Sequence, residues 1–126
     1  MVIAGASGVV GRHLIAHAKD CGWTIRTLSR SEEQATRWNP AEIVEKKGET
    51  LPGVIKALEG ADLLVNLAGT SLADGKLDIN HCKEVMKSRL DATRALGIAY
   101  HACTTPPPCW IQASAIGYYG EDGEED

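Results

Sequence analysis

The sequence predicts a doubly wound α/β fold, a parallel sheet with helices on both faces. Three observations point there. Strand-like apolar runs alternate with stretches of helical spacing along the chain. A glycine-rich turn joins the first strand to the first helix. The run "ADLLVNLAG", residues 61–69, is apolar without alternation, as in strands buried on both faces.

Met1-Val2-Ile3-Ala4 opens as a strand. Val10, Leu14 and Ala18 then repeat every four residues with Ile15 beside them, the stripe of a helix that lays one face on a sheet and ends at Gly22. "WTIRTLSR", residues 23–30, reads as the second strand, with apolar Trp23, Ile25 and Leu28 and β-branched Thr24 and Thr27. Residues 31–50 are polar; within them "ATRW", residues 35–38, makes a short strand stopped by Asn39-Pro40, because proline cannot donate to a ladder. A short helix over 52–60 leads into the 61–69 strand. From Asp78 to Ala102 the residues Ile79, Cys82, Val85, Met86, Leu90, Leu96 and Ile98 follow helical spacing and predict one long helix, ended by Pro106-Pro107-Pro108. "CWIQASA", residues 109–115, is the last predicted strand, and turn-like "IGYYGEDGEED" follows.

Composition narrows the function. The 126 residues are 44% hydrophobic and 24% charged, ordinary for one globular domain or part of one. A net charge of −4, with 17 acids against 13 bases and no basic block, argues against nucleic acid as a partner. No apolar run approaches the roughly 18 residues of a membrane span, and no basic-then-apolar leader is present, so a cytoplasmic protein without membrane contact is expected. Cys21, Cys82, Cys103 and Cys109 are widely spaced with no CxxC pair, and reduced thiols are expected.

The turn "GASGVVGR", residues 5–12, carries the chemistry. In a strand–turn–helix the first glycine permits the sharp turn, one facing a ligand lets the backbone approach a pyrophosphate, and the last lets the helix lie close to the strand. Gly5, Gly8 and Gly11 suit these roles, with the anion held on free N–H groups at the positive end of the helix dipole and Ser7 adding a hydroxyl. A turn chosen only for helix packing is the alternative. The second strand ends at Arg30, 19 residues past Gly11, about where this motif contacts the adenosine ribose. Instead of an acid, which would select NAD, Ser29 and Arg30 stand there. A guanidinium matches a 2′-phosphate through two charge-assisted bonds, and Arg12 adds a second positive charge, so NADP is favoured over NAD. A solvated arginine at a strand end is the other reading.

Together "GASGVVGR", "LVNLAG", "KSRLDATRAL" and "SAIGYYG", in this order, resemble the extended short-chain dehydrogenase/reductase superfamily. More narrowly, they resemble the atypical, sugar-epimerase-like subgroup of its NAD-dependent epimerase/dehydratase branch. The resemblance implies a Rossmann-type fold, a nicotinamide dinucleotide and a smaller carboxy-terminal substrate domain. Residues 1–126 would then be an incomplete dinucleotide-binding domain, lacking the last strands and the substrate domain. It implies that Gly5, Ser7, Gly8, Val10 and Gly11 hold the pyrophosphate and that Ser29 and Arg30 meet the adenosine end. Leu67, Ala68 and Gly69 would run along the cofactor, and Ser88, Arg89 and Thr93 would support the site from the long helix, although Arg89 reads equally as a surface ion-pair residue.

The family's chemistry uses a serine or threonine at the end of the fifth strand, for which Ser114 is the candidate, orienting a substrate hydroxyl or carbonyl. It also uses a tyrosine with a lysine four residues on, because a phenol of pKa near 10 exchanges protons at neutral pH only beside a cation. Here Tyr100 is followed at that spacing by Thr104, Tyr118 by Asp122 and Tyr119 by Gly123. No YxxxK is present; Tyr118 and Tyr119 are either substitutes or packing aromatics. Two functions follow: the cofactor-binding portion of an oxidoreductase acting on a sugar nucleotide or another hydroxyl or carbonyl substrate, or a dinucleotide-binding regulator without turnover. A sheet cut at this point predicts marginal stability or a homo-oligomer.

Other signals are weaker. His13 and His17 stand one helical turn apart without a third ligand, and His81 and Cys82 fall on another element, so no metal is expected. Asp74, Asp78 and the acids Glu121, Asp122, Glu124, Glu125 and Asp126 read as solvated loops. Asp62, at the head of its strand, either touches adenine or caps the preceding turn.

Overall fold

The computed structural model describes residues 1–28, 51–71, 73, 75–76 and 78–114. The strand expected at 35–38, the residues Ser29 and Arg30, and the segment with Tyr118 and Tyr119 lie outside the described residues.

Four strands, β1 (Val2–Ala4), β2 (Arg26–Leu28), β3 (Leu64–Asn66) and β4 (Trp110–Gln112), form one sheet in the order β2-β1-β3-β4. All pairings are parallel, with Val2 opposite both Arg26 and Leu64, and Leu64 opposite Trp110. The described helices are α1 (Val9–Asp20), α2 (Leu51–Leu58) and α3 (Ile79–Ala102).

Central β1 explains the layering. Its side chains alternate between two cores, so none of the three reaches water and the strand reads as continuously apolar. Val2 and Ala4 join Leu28, Leu64, Val54, Leu58 and Leu96 on the face covered by α2 and α3. Ile3 points the other way, to Ile15 and Ala18 of α1. Helices therefore cover both faces of a parallel sheet, which is the Rossmann-type arrangement the alternating pattern predicts.

The expected strand over 23–30 begins later, at Arg26, because its first residues close α1 instead. Cys21 N donates to His17 O at 3.1 Å, Gly22 N to Lys19 O at 2.9 Å and Trp23 N to Ala18 O at 2.9 Å. Gly22, at φ 79°, supplies the left-handed residue such a helix end requires. The long helix runs as its spacing predicts, with only part of its apolar set facing inward. Val85, Leu96 and Ala99 are buried, whereas Ile79 (70% exposed), Met86 (60%), Leu90 (48%) and Ile98 (59%) face outward. Apolar residues occur around most of this helix, so docking against α2 and the sheet, not periodicity, selects the inward stripe.

Asp78, expected as a solvated loop acid, caps α3 by accepting from Asn80 N at 2.9 Å and His81 N at 2.8 Å. Tyr100 is held structurally: its hydroxyl donates to Pro107 O at 2.9 Å and its ring lies 5.6 Å from that of Trp110. Among the described residues, no helix is long and apolar enough to cross a membrane.

Replacing Asp78 by Ala removes both capping acceptors and is expected to lower stability by about 1 kcal/mol, read as a lower urea midpoint at unchanged m-value.

Candidate functional site

Strand β1 has β2 on one side and β3 on the other, so the connections leave it in opposite directions. This opens a crevice outside the carboxyl ends of β1 and β3, the topological switch point where such sheets take ligands. The segments after β1, β3 and β4 all emerge at that end.

The three glycines of the first turn differ in what the fold asks of them. Gly5 has φ 79°, and a Cβ there would lie 2.6 Å from both Leu67 C and Leu67 O. At Gly11 a Cβ would lie 2.6 Å from Ala6 O, so its absence lets α1 settle on the strand exit. Gly8 is under neither constraint: its φ is −69°, and a Cβ would meet only Gly5 O at an ordinary 3.5 Å. Packing accounts for Gly5 and Gly11 and leaves Gly8 unexplained.

Gly8 is also the N-cap of α1, which has no side-chain cap and no acid in its first turn. Arg12 N, bonded to Gly8 O at 3.0 Å, closes the first helical turn; the N–H groups ahead of it have no acceptor within the helix. Ser7, Gly8, Val9 and Val10 are exposed around this end. The half-buried Arg12 adds positive charge at the positive end of the helix dipole, where an anion is favoured.

The exit of β3 is organised by polar side chains. Asn66 is fully buried. Ala68 N donates to Asn66 Oδ1 at 3.0 Å, which fixes the amide's orientation because a backbone N–H can only donate. Asn66 Nδ2 then donates to Gln112 Oε1 at 2.9 Å and to Thr93 Oγ1 at 3.4 Å. One side chain thus ties β3 to its own exit loop, to β4 and to α3. Sequence reasoning placed Thr93 behind the site but passed over Asn66 and Gln112. The available signal was an amide ending an otherwise apolar strand.

Ser88 and Arg89 meet the next stretch. Ser88 Oγ accepts from Thr70 N at 2.9 Å and donates to Val85 O at 2.8 Å. Arg89 Nη1 donates to Thr70 O at 2.8 Å and to Val85 O at 3.3 Å. Arg89 is therefore bound to backbone carbonyls, which corrects its alternative reading as a surface ion-pair residue. Gly69, at φ 155°, has no room for a Cβ, which would lie 2.7 Å from Arg89 Cγ.

Ser114 is exposed, two residues past β4, and the preceding Ala113 N donates to Asn66 O at 3.0 Å. The sheet thus brings the glycine turn, residues 67–70 and Ser114 to one end. Ser29 and Arg30 directly follow β2 in the chain.

Asp62 stands at the amino-terminal end of β3, with Cys21, Trp23 and Arg26 around a groove of about 340 Å³ at the opposite end of the sheet from the crevice. That groove owes its walls to the turn after α1 and to Arg26, whose Nη1 donates to Ala57 O at 3.0 Å and Glu59 O at 3.1 Å at the end of α2. At the end of α3, burial first and then Glu59 push the Cys103 thiol above its ordinary pKa, so it stays protonated at neutral pH and donates to Ala99 O at 3.2 Å. Among the described residues no three His, Cys, Asp or Glu side chains converge as metal ligands.

A parallel sheet covered by helices on both faces, with a crevice at its switch point, defines a Rossmann-type protein, and comparison with known proteins narrows the class. Residues 1–126 match the model of the NAD dependent epimerase/dehydratase family, and the chain belongs to that family. An epimerase family protein of Mycobacterium tuberculosis is 30% identical over 123 residues, covering 95% of this chain and 38% of that protein. The crystal structure of the human epimerase family protein SDR39U1 (isoform 2) with NADPH is 25% identical and superposes with a TM-score of 0.73 over 94% of this chain and 37% of that one. A short-chain dehydrogenase/reductase superfamily protein from Agrobacterium tumefaciens, solved with bound NAD, shares the fold at a TM-score of 0.67 and 18% identity, over 94% of this chain and 33% of that one. The chain spans about two fifths of the length of the curated relatives it matches.

Gly5→Ala and Gly11→Ala are each expected to cost about 2 kcal/mol, from left-handed strain and backbone overlap at Gly5 and from overlap alone at Gly11. Gly8→Ala should stay within about 1 kcal/mol of the parent, since only its N-cap preference changes. Denaturant midpoints of the three variants check this ordering.

Proposed function

We propose that the chain is the NADP-binding portion of an epimerase-like short-chain oxidoreductase that acts on a sugar nucleotide or another substrate bearing a hydroxyl or carbonyl. The observation that carries this reading is the uncapped start of α1 at the switch point, with a glycine there that the fold itself does not require. In this reading Gly5, Ser7, Gly8, Val10 and Gly11 hold the pyrophosphate on backbone N–H groups and the Ser7 hydroxyl, with Arg12 adding charge. Ser29 and Arg30 take the adenosine ribose and its 2′-phosphate. Leu67, Ala68 and Gly69 line the cofactor, and Ser88 and Arg89 stand behind them. The NADPH carried by the human relative supports the choice of NADP over NAD.

When bound, the nicotinamide ring supplies a hydride donor or acceptor. The protein's part is position and electrostatics: the helix terminus neutralises the pyrophosphate, and the loop after β3 walls the crevice. Ser114 donates a hydrogen bond to the substrate oxygen whose bond order changes, and so orients it. Residues 1–126 act as the dinucleotide-binding unit, and the groups that select the substrate belong to the further length the relatives have.

A second reading is a regulator that binds the dinucleotide without turnover. The specific observation favouring it is that no tyrosine in the 126 residues is followed by lysine four positions on. With full-length material, oxidation of NADPH by any member of a carbonyl or nucleotide-sugar panel sinks this second reading; tight binding without turnover of any member sinks the first.

Titration of the nicotinamide fluorescence is expected to show saturable binding, with NADPH bound at least about tenfold more tightly than NADH. That is the size of effect expected from one charge-assisted contact to the 2′-phosphate. Arg30→Ala should erase the preference while leaving NADH affinity unchanged. Equal affinity for the two dinucleotides in the parent chain would overturn the assignment of NADP.

A further inference from the structure

We infer that Ser88 and Arg89 are positioning residues for the nicotinamide half of the dinucleotide and that they act through Thr70 rather than by touching the ligand; this rests on the reading of the chain as dinucleotide-binding. Two neighbouring residues of α3 grip both sides of one residue in the loop after β3. Ser88 Oγ takes the Thr70 N–H at 2.9 Å, and Arg89 Nη1 takes the Thr70 carbonyl at 2.8 Å. The Ser88 hydroxyl is fully engaged, since its proton goes to Val85 O at 2.8 Å. Arg89 Nη1 is likewise shared between Thr70 O and Val85 O. Ser88 therefore has no proton left for a ligand, and its influence passes through the loop.

The loop has little freedom to settle elsewhere. Gly69, at φ 155°, lies under the Arg89 side chain, where a Cβ would fall 2.7 Å from Cγ and 3.1 Å from Cζ. On the other side, Leu67 and Ala68 press against Gly5, whose Cβ would lie 2.7 Å from Ala68 N. Residues 67–70 are thus held between the glycine turn and α3; Ala68 is also anchored on Asn66 Oδ1, so loss of the Thr70 grip frees the stretch beyond Ala68.

Strand order says which half of the ligand feels this. In the order β2-β1-β3-β4, the carboxyl end of β2 lies on one side of the crevice, while Thr70 follows β3 and Ser114 follows β4 on the other. A dinucleotide whose adenosine lies toward β2 and whose pyrophosphate lies on α1 places its nicotinamide over the exits of β3 and β4. Loss of the grip should then disturb the nicotinamide half alone.

The test compares NADPH with adenosine 2′,5′-bisphosphate, which carries only the adenosine half, on the parent chain and on Ser88→Ala, Arg89→Gln and Ser88→Thr. Ser88→Ala and Arg89→Gln are expected to weaken NADPH about tenfold, the size of one lost hydrogen bond, with the bisphosphate within twofold of the parent. The change in nicotinamide emission on binding should shrink in both, and Ser88→Thr, which keeps the hydroxyl, should restore affinity and emission. Parallel weakening of both ligands, unchanged NADPH binding, or a Ser88→Thr variant as weak as Ser88→Ala would overturn the inference. If Ser88→Ala or Arg89→Gln melts below the assay temperature, Arg89→Lys is read by the same ratio of affinities, and a ratio equal to the parent's overturns the inference. A parent chain that binds neither ligand instead overturns the dinucleotide reading itself.

Discussion

The crevice depends on one close approach, between the backbone leaving β1 and the backbone leaving β3. At Gly5 the main chain turns with φ 79°, and the space a Cβ would take is already filled by Leu67 and Ala68. Two adjacent parallel strands ordinarily send their exits off as independent loops. Here the exits touch, so the start of α1 and the loop after β3 share one geometry. Gly11 extends the constraint inward, because its contact with Ala6 sets how near α1 lies to the sheet. A rigid cradle assembled from two loops is what pre-organised binding of a long, charged ligand requires, since loops ordered in advance lose less freedom on binding.

Asn66 continues the same logic by hydrogen bonding. Its amide is buried with no exposure, so its donors and acceptor must be satisfied internally. Ala68 N–H sets its orientation, and the Nδ2 group then points at Gln112 and Thr93. Because Ala113 N, just past β4, also donates to Asn66 O, the strand exit that carries Ser114 is indexed to the loop after β3. An apolar residue at position 66 would fill the volume and leave Ala68 N–H without its acceptor. The polar network therefore specifies relative placement at the carboxyl end, while the apolar cores on the two faces supply most of the stability.

Much of this was legible in the residues, and the reasons for the exceptions are physical. Continuous apolar runs announced strands buried on both faces, and the glycine spacing announced the turn and the close helix. Strand ends were overestimated at Trp23 and Thr24 because a β-favouring residue can equally serve a helix C-cap, and Gly22 decided for the cap. The inward face of α3 is not legible from spacing, because Met86 and Leu90 obey helical spacing as well as Val85 does. Asp78 was misread because a capping acid and a solvated one look alike until the following N–H groups are placed. Arg89 was ambiguous for a related reason: a guanidinium satisfied by carbonyl oxygens leaves no charged partner in the sequence to find. The contact between Gly5 and residues 67–68 spans more than sixty positions, and no local pattern reports it.

The start of α1 gives up stability that other helix starts retain. A Ser, Asp or Asn at the N-cap is ordinarily worth a few tenths of a kcal/mol over Gly, and an acid in the first turn adds a few tenths more at an exposed site. This helix has Gly8 at the cap, no acid in its first turn and Arg12 immediately after it. In contrast, α3 in the same chain is capped twice over by Asp78. The chain can cap a helix well and leaves the start of α1 without a side-chain cap. Any anion that binds only the folded state returns the missing interaction, and by mass action it adds about 2.7 kcal/mol of apparent stability at a hundred times its Kd. The same few N–H groups thereby couple ligand recognition to the integrity of the β1–α1 unit, because the turn they occupy is held from below by Gly11 on Ala6 and from the side by Gly5 on Leu67.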